Sequence, residues 1–276
     1  MIRKGLAFGL LLGLVFCAWA KSEPVDVIVI VDQDCEFCSV SMPKEFLRDK
    51  FDNLNFKDID YKEAQAVKII KKYKVNYLPC FMFSSAIKKT KNYSKIEKFF
   101  QTKKRKIFLT KERSGIFRFL NRKKEDKKID YFLDFFEDNS SDIFNGLEEL
   151  AKAGNFKLNV YFLNFTNPGY GYPHQEINTA LLVKKLYPDK LFSFLRHRLI
   201  NIKDVSCSDS LESVGIDAAK IKESNDEATL SELNKENYSF IEEIGIKAGN
   251  VVLVENNRIF KIFTPDQEVL KKLFRR

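Results

Sequence analysis

The stretch VIVIVDQDCEFCSVSMPKEF, residues 27–46, decides the fold. It opens on a nearly continuous β-branched run, the pattern of a strand buried on both faces of a sheet. It closes on a segment whose apolar Phe46, Leu47 and Phe51 predict a helix over residues 39–51, with Pro43 kinking its early turns. Between strand and helix stand Cys35 and Cys38. A CxxC at such a turn puts the first cysteine near the helix N-terminus, where unpaired amides and the macrodipole favour a thiolate, and the second close enough to close a disulfide. The same spacing also serves zinc sites and static disulfide staples. There is no second CxxC, and neither His174 nor His197 lies nearby in sequence, so a four-ligand zinc site lacks obvious partners.

Working outward, NLNFKDIDY reads as a second strand, KEAQAVKIIKKYKV as an amphipathic helix, and CFMFS as a third strand introduced by Pro79. Alternation of strand and helix implies an α/β layer fold. Residues 88–128 differ in charge, with 17 Lys or Arg against 4 acidic residues. Such a skew suits an anionic partner, membrane lipid or an acidic protein, but apolar Ile107, Phe108, Leu109, Ile116, Phe117 and Phe119 interleave these charges, which favours the solvated face of a folded region. After NRKKEDKK, a hinge, a second cycle begins. IDYFLDF is strand-like, Ser140 or Ser141 caps a helix that Gly154 stops, and KLNVYFLNF is another strand. A mostly helical stretch over about 175–243 follows, then NVVLV, the turn ENN, RIFKIF and a closing helix over 265–274.

The first half resembles the thioredoxin superfamily over about residues 24–100. The resemblance rests on the order of strand, CxxC and helix, on Pro43 five residues after Cys38, and on YKVNYLPCFMF, which is similar to the family's segment around its cis-proline. It implies thiol-disulfide chemistry with Cys35 as nucleophile and Cys38 as resolving thiol. It also implies a cis bond before Pro79, with Leu78 and Pro79 contacting an extended substrate. Two departures stand out: the family's tryptophan before the first cysteine is Asp34 here, and its buried aspartate on the preceding strand is Val29. Asp32, Asp34 and Glu36 crowd the pair with negative charge, which should raise the thiol pKa and make the pair a reductant or isomerase rather than a strong oxidase. The second half is similar to the DsbA-like branch of the superfamily. There Glu137 and Ser140 stand where the branch has its cysteines, and Asn250 where it has its cis-proline, so this half is expected to be redox-inert. The expected fold class is α/β, two thioredoxin-like units in tandem. The first spans residues 24–122; the second spans 128–276 and carries the helical insertion.

The chain's 276 residues, 45% hydrophobic, suffice for such a pair of units, and its formal net charge is +9. Residues 1–20 read as a signal peptide: Arg3 and Lys4, an apolar run, then Ala18-Trp19-Ala20 as a cleavage site. Export to a periplasm or beyond follows, with exported thiol- or disulfide-bearing proteins as substrates, a membrane-linked redox partner, and no nucleic acid. Four cysteines then remain, too few for a disulfide-stapled scaffold. The reading calls for no cofactor and no resident metal.

Two rivals belong to other classes: a binding or scaffold protein with a structural Cys35-Cys38 disulfide, and a soft-metal carrier using the pair with Cys80 as an accessory thiol. Cys80 otherwise reads as a small buried hydrophobe. Cys207 is a lone thiol or a partner for Cys80. NPGYGYPH, residues 167–174, reads as a tight aromatic loop or the lining of a peptide groove.

Overall fold

The valine-rich run forms the middle of a sheet. A computed structural model describes residues 24–36, 38–164, 174–246, 249–262 and 266–274; the signal-peptide segment and residues 167–173 of the aromatic loop lie outside these. In chain order the first part contains β1 (Val25–Val31), α1 (Ser41–Lys50), β2 (Leu54–Asp60), α2 (Ala64–Tyr73), β3 (Tyr77–Leu78) and β4 (Cys80–Phe83). It continues with α3 (Tyr93–Ile96), β5 (Phe100–Lys103), β6 (Lys106–Leu109), α4 (Lys111–Ser114) and β7 (Arg118–Phe119). The second part contains β8 (Lys128–Leu133), α5 (Ser140–Gly154), β9 (Lys157–Phe162), α6 (His174–Leu186), α7 (Leu191–Asn201), α8 (Cys207–Ser213), α9 (Ala218–Glu223) and α10 (Glu227–Ile244). It closes with β10 (Val251–Val254), β11 (Arg258–Lys261) and α11 (Gln267–Phe274).

The strands form two sheets, β2-β1-β4-β6-β5 and β3-β7-β11-β10-β8-β9. In the first, β1 runs parallel to β2 and antiparallel to β4, which pairs with β6. In the second, β8 runs parallel to β9 and antiparallel to β10, which pairs with β11. Both therefore carry the thioredoxin-like order of a β-α-β unit followed by two antiparallel strands. Helices α6 to α10 stand between the two parallel strands and the two antiparallel ones of the second sheet.

β1 is covered on both faces, as its unbroken run of valine and isoleucine requires. Val27 and Val29 pack with Leu47, Phe81 and Phe83, while Ile30 packs with Ile59, Cys80 and Phe108 on the other side. The basic segment is folded, with Ile107, Phe108, Leu109, Phe117 and Phe119 buried. Two of its features were not legible: the β5-β6 hairpin, and β7, which leaves the first unit to join the second sheet. β7 lies between β3 and β11, so strands from before residue 122 are hydrogen-bonded into the sheet built mainly from residues after 128.

Helix α1 corrects a local expectation. It starts at Ser41, not Ser39, because the Ser39 hydroxyl accepts from the Ser41 amide at 3.2 Å and holds the preceding residues in a turn. Pro43 is thus the third helical residue, where its missing N–H has no intrahelical partner to lose, and it fits the first turn without interrupting it. Its ring packs against Gly115, where an added Cβ would lie 3.3 Å from Pro43 Cγ.

Candidate functional site

Beyond Val31 the chain turns twice. The Cys35 amide donates to the Asp32 carbonyl at 3.3 Å, and the Cys38 amide donates to the Cys35 carbonyl at 3.1 Å. This second turn brings the two Cα atoms to 5.3 Å, and the side chains are joined as a disulfide. Both cysteines are half-buried. Cys38 packs against the cluster that holds Leu78 and Cys80, and both cysteines pack against the core of the second unit. Since α1 begins six residues after Cys35, the first cysteine is not at the helix N-terminus as expected. The helix field falls off within a turn, so it favours the Cys35 thiolate less than the spacing implied.

The acidic surroundings also differ from expectation, because each carboxylate has a cation. Arg118 Nη2 lies 2.6 Å from Asp32, whose side chain is only 2% exposed. Lys62 pairs with Asp34, which lowers the Asp34 pKa through that hydrogen bond and raises that of Lys62. Lys272 lies 4.0 Å from Glu36. The negative charge expected to raise the thiol pKa is therefore largely offset, most completely at buried Asp32. Arg118 also lies over the Tyr61 ring, 5.4 Å from its centroid. Arg118 escaped the sequence reading; its one signal was a lone arginine amid the apolar residues of IFRFL.

Cys35 lines a cavity of about 370 Å³ between the two units; Cys38 does not. One wall is the acidic turn with Tyr61 and Lys62, and the other includes Arg118, Glu255, Arg258 and Phe260. Lys124 and Arg258 both reach Glu255, at 3.3 and 3.2 Å, so the charges of the second wall are paired too.

The Leu78-Pro79 bond is cis. Leu78 is fully buried and its carbonyl accepts from the Phe117 amide at 2.9 Å, so its backbone is engaged within the chain. Cys80 is buried in the same cluster as Leu78 and Ile30, and burial pushes its thiol up to about 12. Cys207, the first residue of α8, is free as well; burial pushes its thiol up to about 11, with the Glu176 carboxylate adding to the effect. The two therefore form no bridge. Among the described residues, no three His, Cys, Asp or Glu side chains converge as metal ligands would.

The second unit repeats the same backbone without the thiols. Ile30 pairs with Cys80 across β1 and β4, and Phe132 with Val251 across β8 and β10. Counting from those pairs, Glu137 and Ser140 match Cys35 and Cys38, and Asn250 matches Pro79. The Ser140 amide donates to the Glu137 carbonyl at 3.0 Å, the same turn that the cysteines make. Where a disulfide would stand there is a buried polar network. Asn250 Oδ1 accepts from the Tyr131 hydroxyl at 2.6 Å, and its amide donates to Ser140 Oγ at 3.0 Å and to Asn139 Oδ1 at 3.2 Å.

Two tandem sheets of this order, with a disulfide-bonded CxxC on the turn after β1, define a protein of thioredoxin-like fold. No protein-family model matches the chain, and no curated protein matches it. Among solved structures, it is similar to the thiol-disulfide exchange protein alpha-DsbA2 from Wolbachia pipientis, with 20% identity and a TM-score of 0.44 over 54% of this chain and 80% of that one. It is similar to BdbD from Bacillus subtilis at 18% identity and a TM-score of 0.43, over 54% of this chain and 87% of that one. For the disulfide oxidoreductase DsbA from Proteus mirabilis the values are 11% and 0.42, over 56% and 92%.

Proposed function

We propose that the protein is an exported thiol-disulfide oxidoreductase that exchanges disulfides with exported protein substrates through Cys35 and Cys38. One observation carries this reading: the two sulfurs are unequal, with Cys35 facing the cavity and Cys38 turned toward the Leu78 and Cys80 cluster. That asymmetry suits an attacking and a resolving thiol. In the reduced protein the Cys35 thiolate attacks one sulfur of a substrate disulfide, forming a mixed disulfide and releasing the first substrate thiolate. Cys38 then attacks Cys35 Sγ, releases the second, and closes Cys35-Cys38. Two electrons pass to the substrate, and the protons of the two cysteine thiols end on the two substrate thiols.

Reductase or isomerase use is supported by the distance of Cys35 from the start of α1, since a less stabilised thiolate makes the disulfide harder to reduce. A membrane-linked dithiol donor would then restore the reduced pair. Contact of Leu78 and Pro79 with an extended substrate would require β7 to leave the Leu78 carbonyl.

A Cys38→Ser variant tests the proposal. It should accumulate mixed disulfides with exported proteins, released by reductant and missing from a Cys35→Ser control. Failure to trap any would sink it.

A second reading, a scaffold with a permanent staple, is favoured by the packing of both cysteines against the core of the second unit. A reduction potential below about −300 mV, together with a Cys35 that resists alkylation, would decide for the staple.

A further inference from the structure

An extended peptide binds a sheet by pairing with a free backbone edge. Beside Pro79 that edge is taken by the chain itself. The Phe117 amide donates to the Leu78 carbonyl at 2.9 Å, and the Leu120 amide donates to the Asn76 carbonyl at 2.8 Å. Tyr77 and Leu78 stand in antiparallel register with Phe119 and Arg118. The segment is held from behind as well, since the Ile259 amide donates to the Phe117 carbonyl at 2.9 Å and the Phe119 amide to the Asn257 carbonyl at 2.7 Å. The Arg118 side chain crosses to Asp32, three residues before Cys35, and is locked there at 2.6 Å. Residues 117–120 therefore lie where an extended substrate would pair next to the cysteines. They are fixed by the second sheet on one side and by a buried ion pair on the other. Among the described residues, Cys35 faces the cavity of about 370 Å³, at the small end of the roughly 300–1,000 Å³ common for sites that take small molecules.

We propose that residues 117–120 are a specificity element, standing in for a substrate strand, so that Cys35 exchanges with compact disulfides that enter the cavity and rejects extended segments. The inference rests on the exchange reading above and names the substrate class of that site. A compact disulfide is a free low-molecular-weight one or a cysteine pair on a tight loop of a folded protein. Attack by Cys35 breaks the substrate S–S bond and forms the mixed disulfide; attack by Cys38 breaks that bond and forms Cys35-Cys38, with two electrons transferred to give two substrate thiols. A dithiol reductant returns the pair to the reduced state.

The test uses the pre-reduced full chain and measures second-order rates against three substrates. They are oxidised glutathione, an unstructured peptide carrying one cysteine as its mixed disulfide with glutathione, and a folded protein with a surface-loop disulfide. Oxidised glutathione should outpace the peptide by at least about tenfold, the equivalent of one or two net hydrogen bonds that the peptide cannot form. The folded-protein arm tells which source of compact disulfide is used. In Phe117→Pro, which removes the donor to Leu78, the ratio should narrow through a faster peptide reaction. Amide exchange at Phe117 and Leu120 should stay protected while the wild type reacts with oxidised glutathione, a readout that survives if the proline variant does not fold. A wild-type peptide rate equal to the glutathione rate would overturn the inference and leave the exchange reading intact. So would a ratio unchanged in a folded Phe117→Pro. No reaction with any of the three would overturn the exchange reading, and this inference with it.

Discussion

Arg118 Nη2 lies 2.6 Å from the carboxylate of Asp32, so a guanidinium carried by β7 neutralises the buried acid three residues before Cys35. The pair is desolvated mainly on the Asp32 side, at 2% exposure against 22% for Arg118. Removing one partner of a buried pair is much more costly than replacing both, because it strands a charge.

Arg118→Met should therefore destabilise the protein by roughly 3 kcal/mol and slow alkylation of Cys35 in the reduced protein at neutral pH, since Asp32 then acts unopposed on the thiolate. Asp32→Asn added to Arg118→Met should recover part of both effects. Urea midpoints and iodoacetamide rates on the two single variants and the double give the coupling directly. Purely additive effects would show that the ion pair does not couple to Cys35.

Cys80 makes stability sensitive to alkaline pH. Burial pushes its thiol up to about 12 from the ordinary 9.0. The folded state thus holds a proton that the unfolded chain releases, so the contribution is fully present below about pH 9 and is lost as pH rises toward 12. Tyr77, raised by burial, acts in the same direction. Cys80→Ala should cost about 1 kcal/mol at pH 7, as an ordinary core truncation does, yet its melting temperature should fall less steeply than the wild type's between pH 9 and pH 11. Parallel slopes would remove Cys80 as the source. At pH 8 the native protein should leave Cys80 unlabelled by a thiol reagent that labels the reduced Cys35.

The elements legible in the sequence are those whose signal is local. The β-branched run of β1, the two-residue gap between Cys35 and Cys38, and the helical spacing in α2 and α5 each need only neighbouring residues. Pro79 was legible through its resemblance to a cis-proline segment, and the bond is cis. Features set by long-range pairing were hidden. β7 is two residues long, too short for a strand pattern, and its place between β3 and β11 is decided by partners far off in sequence. The reading of Asp32, Asp34 and Glu36 as uncompensated went wrong for the same reason: all three of their cations, Lys62, Arg118 and Lys272, come from elsewhere in the chain. The late start of α1 turns on the Ser39–Ser41 hydrogen bond, which outweighed the apolar periodicity at that end.

In the second unit, Asn250 is the hub of the polar network. It is 2% exposed, and its side chain holds both the Tyr131 hydroxyl and Ser140 Oγ. Asn250→Ala should cost about 2–3 kcal/mol, since buried polar groups are left without partners. Tyr131→Phe on that background should cost little more, because the hydroxyl it removes has already lost its Asn250 partner, whereas in the wild type the same substitution breaks that bond. Equal costs for Tyr131→Phe in the two backgrounds, measured by urea unfolding, would show that the two side chains are not coupled.

The matching turns of the two units make a stronger prediction. Ser140 donates to the Glu137 carbonyl at 3.0 Å, and Cys38 donates to the Cys35 carbonyl at 3.1 Å, so the backbone at 137–140 is already shaped for a four-residue disulfide loop. The double variant Glu137→Cys, Ser140→Cys should close a second disulfide in air. Ser140 Oγ bonds to the Asp134 carbonyl and to Asn250, so the reduced variant should be less stable than the wild type by about 1–2 kcal/mol. Closing so short a loop constrains the unfolded chain by a similar amount, about 2 kcal/mol at most, and oxidation should recover most of the loss. Thiol counting before and after denaturation, with melting curves in the presence and absence of reductant, reads both quantities. Two more free thiols than in the wild type, which keeps Cys80 and Cys207 free, persisting under oxidising conditions would mean that the two turns share a hydrogen bond but not a geometry, and the equivalence of Glu137 and Ser140 with Cys35 and Cys38 would fail.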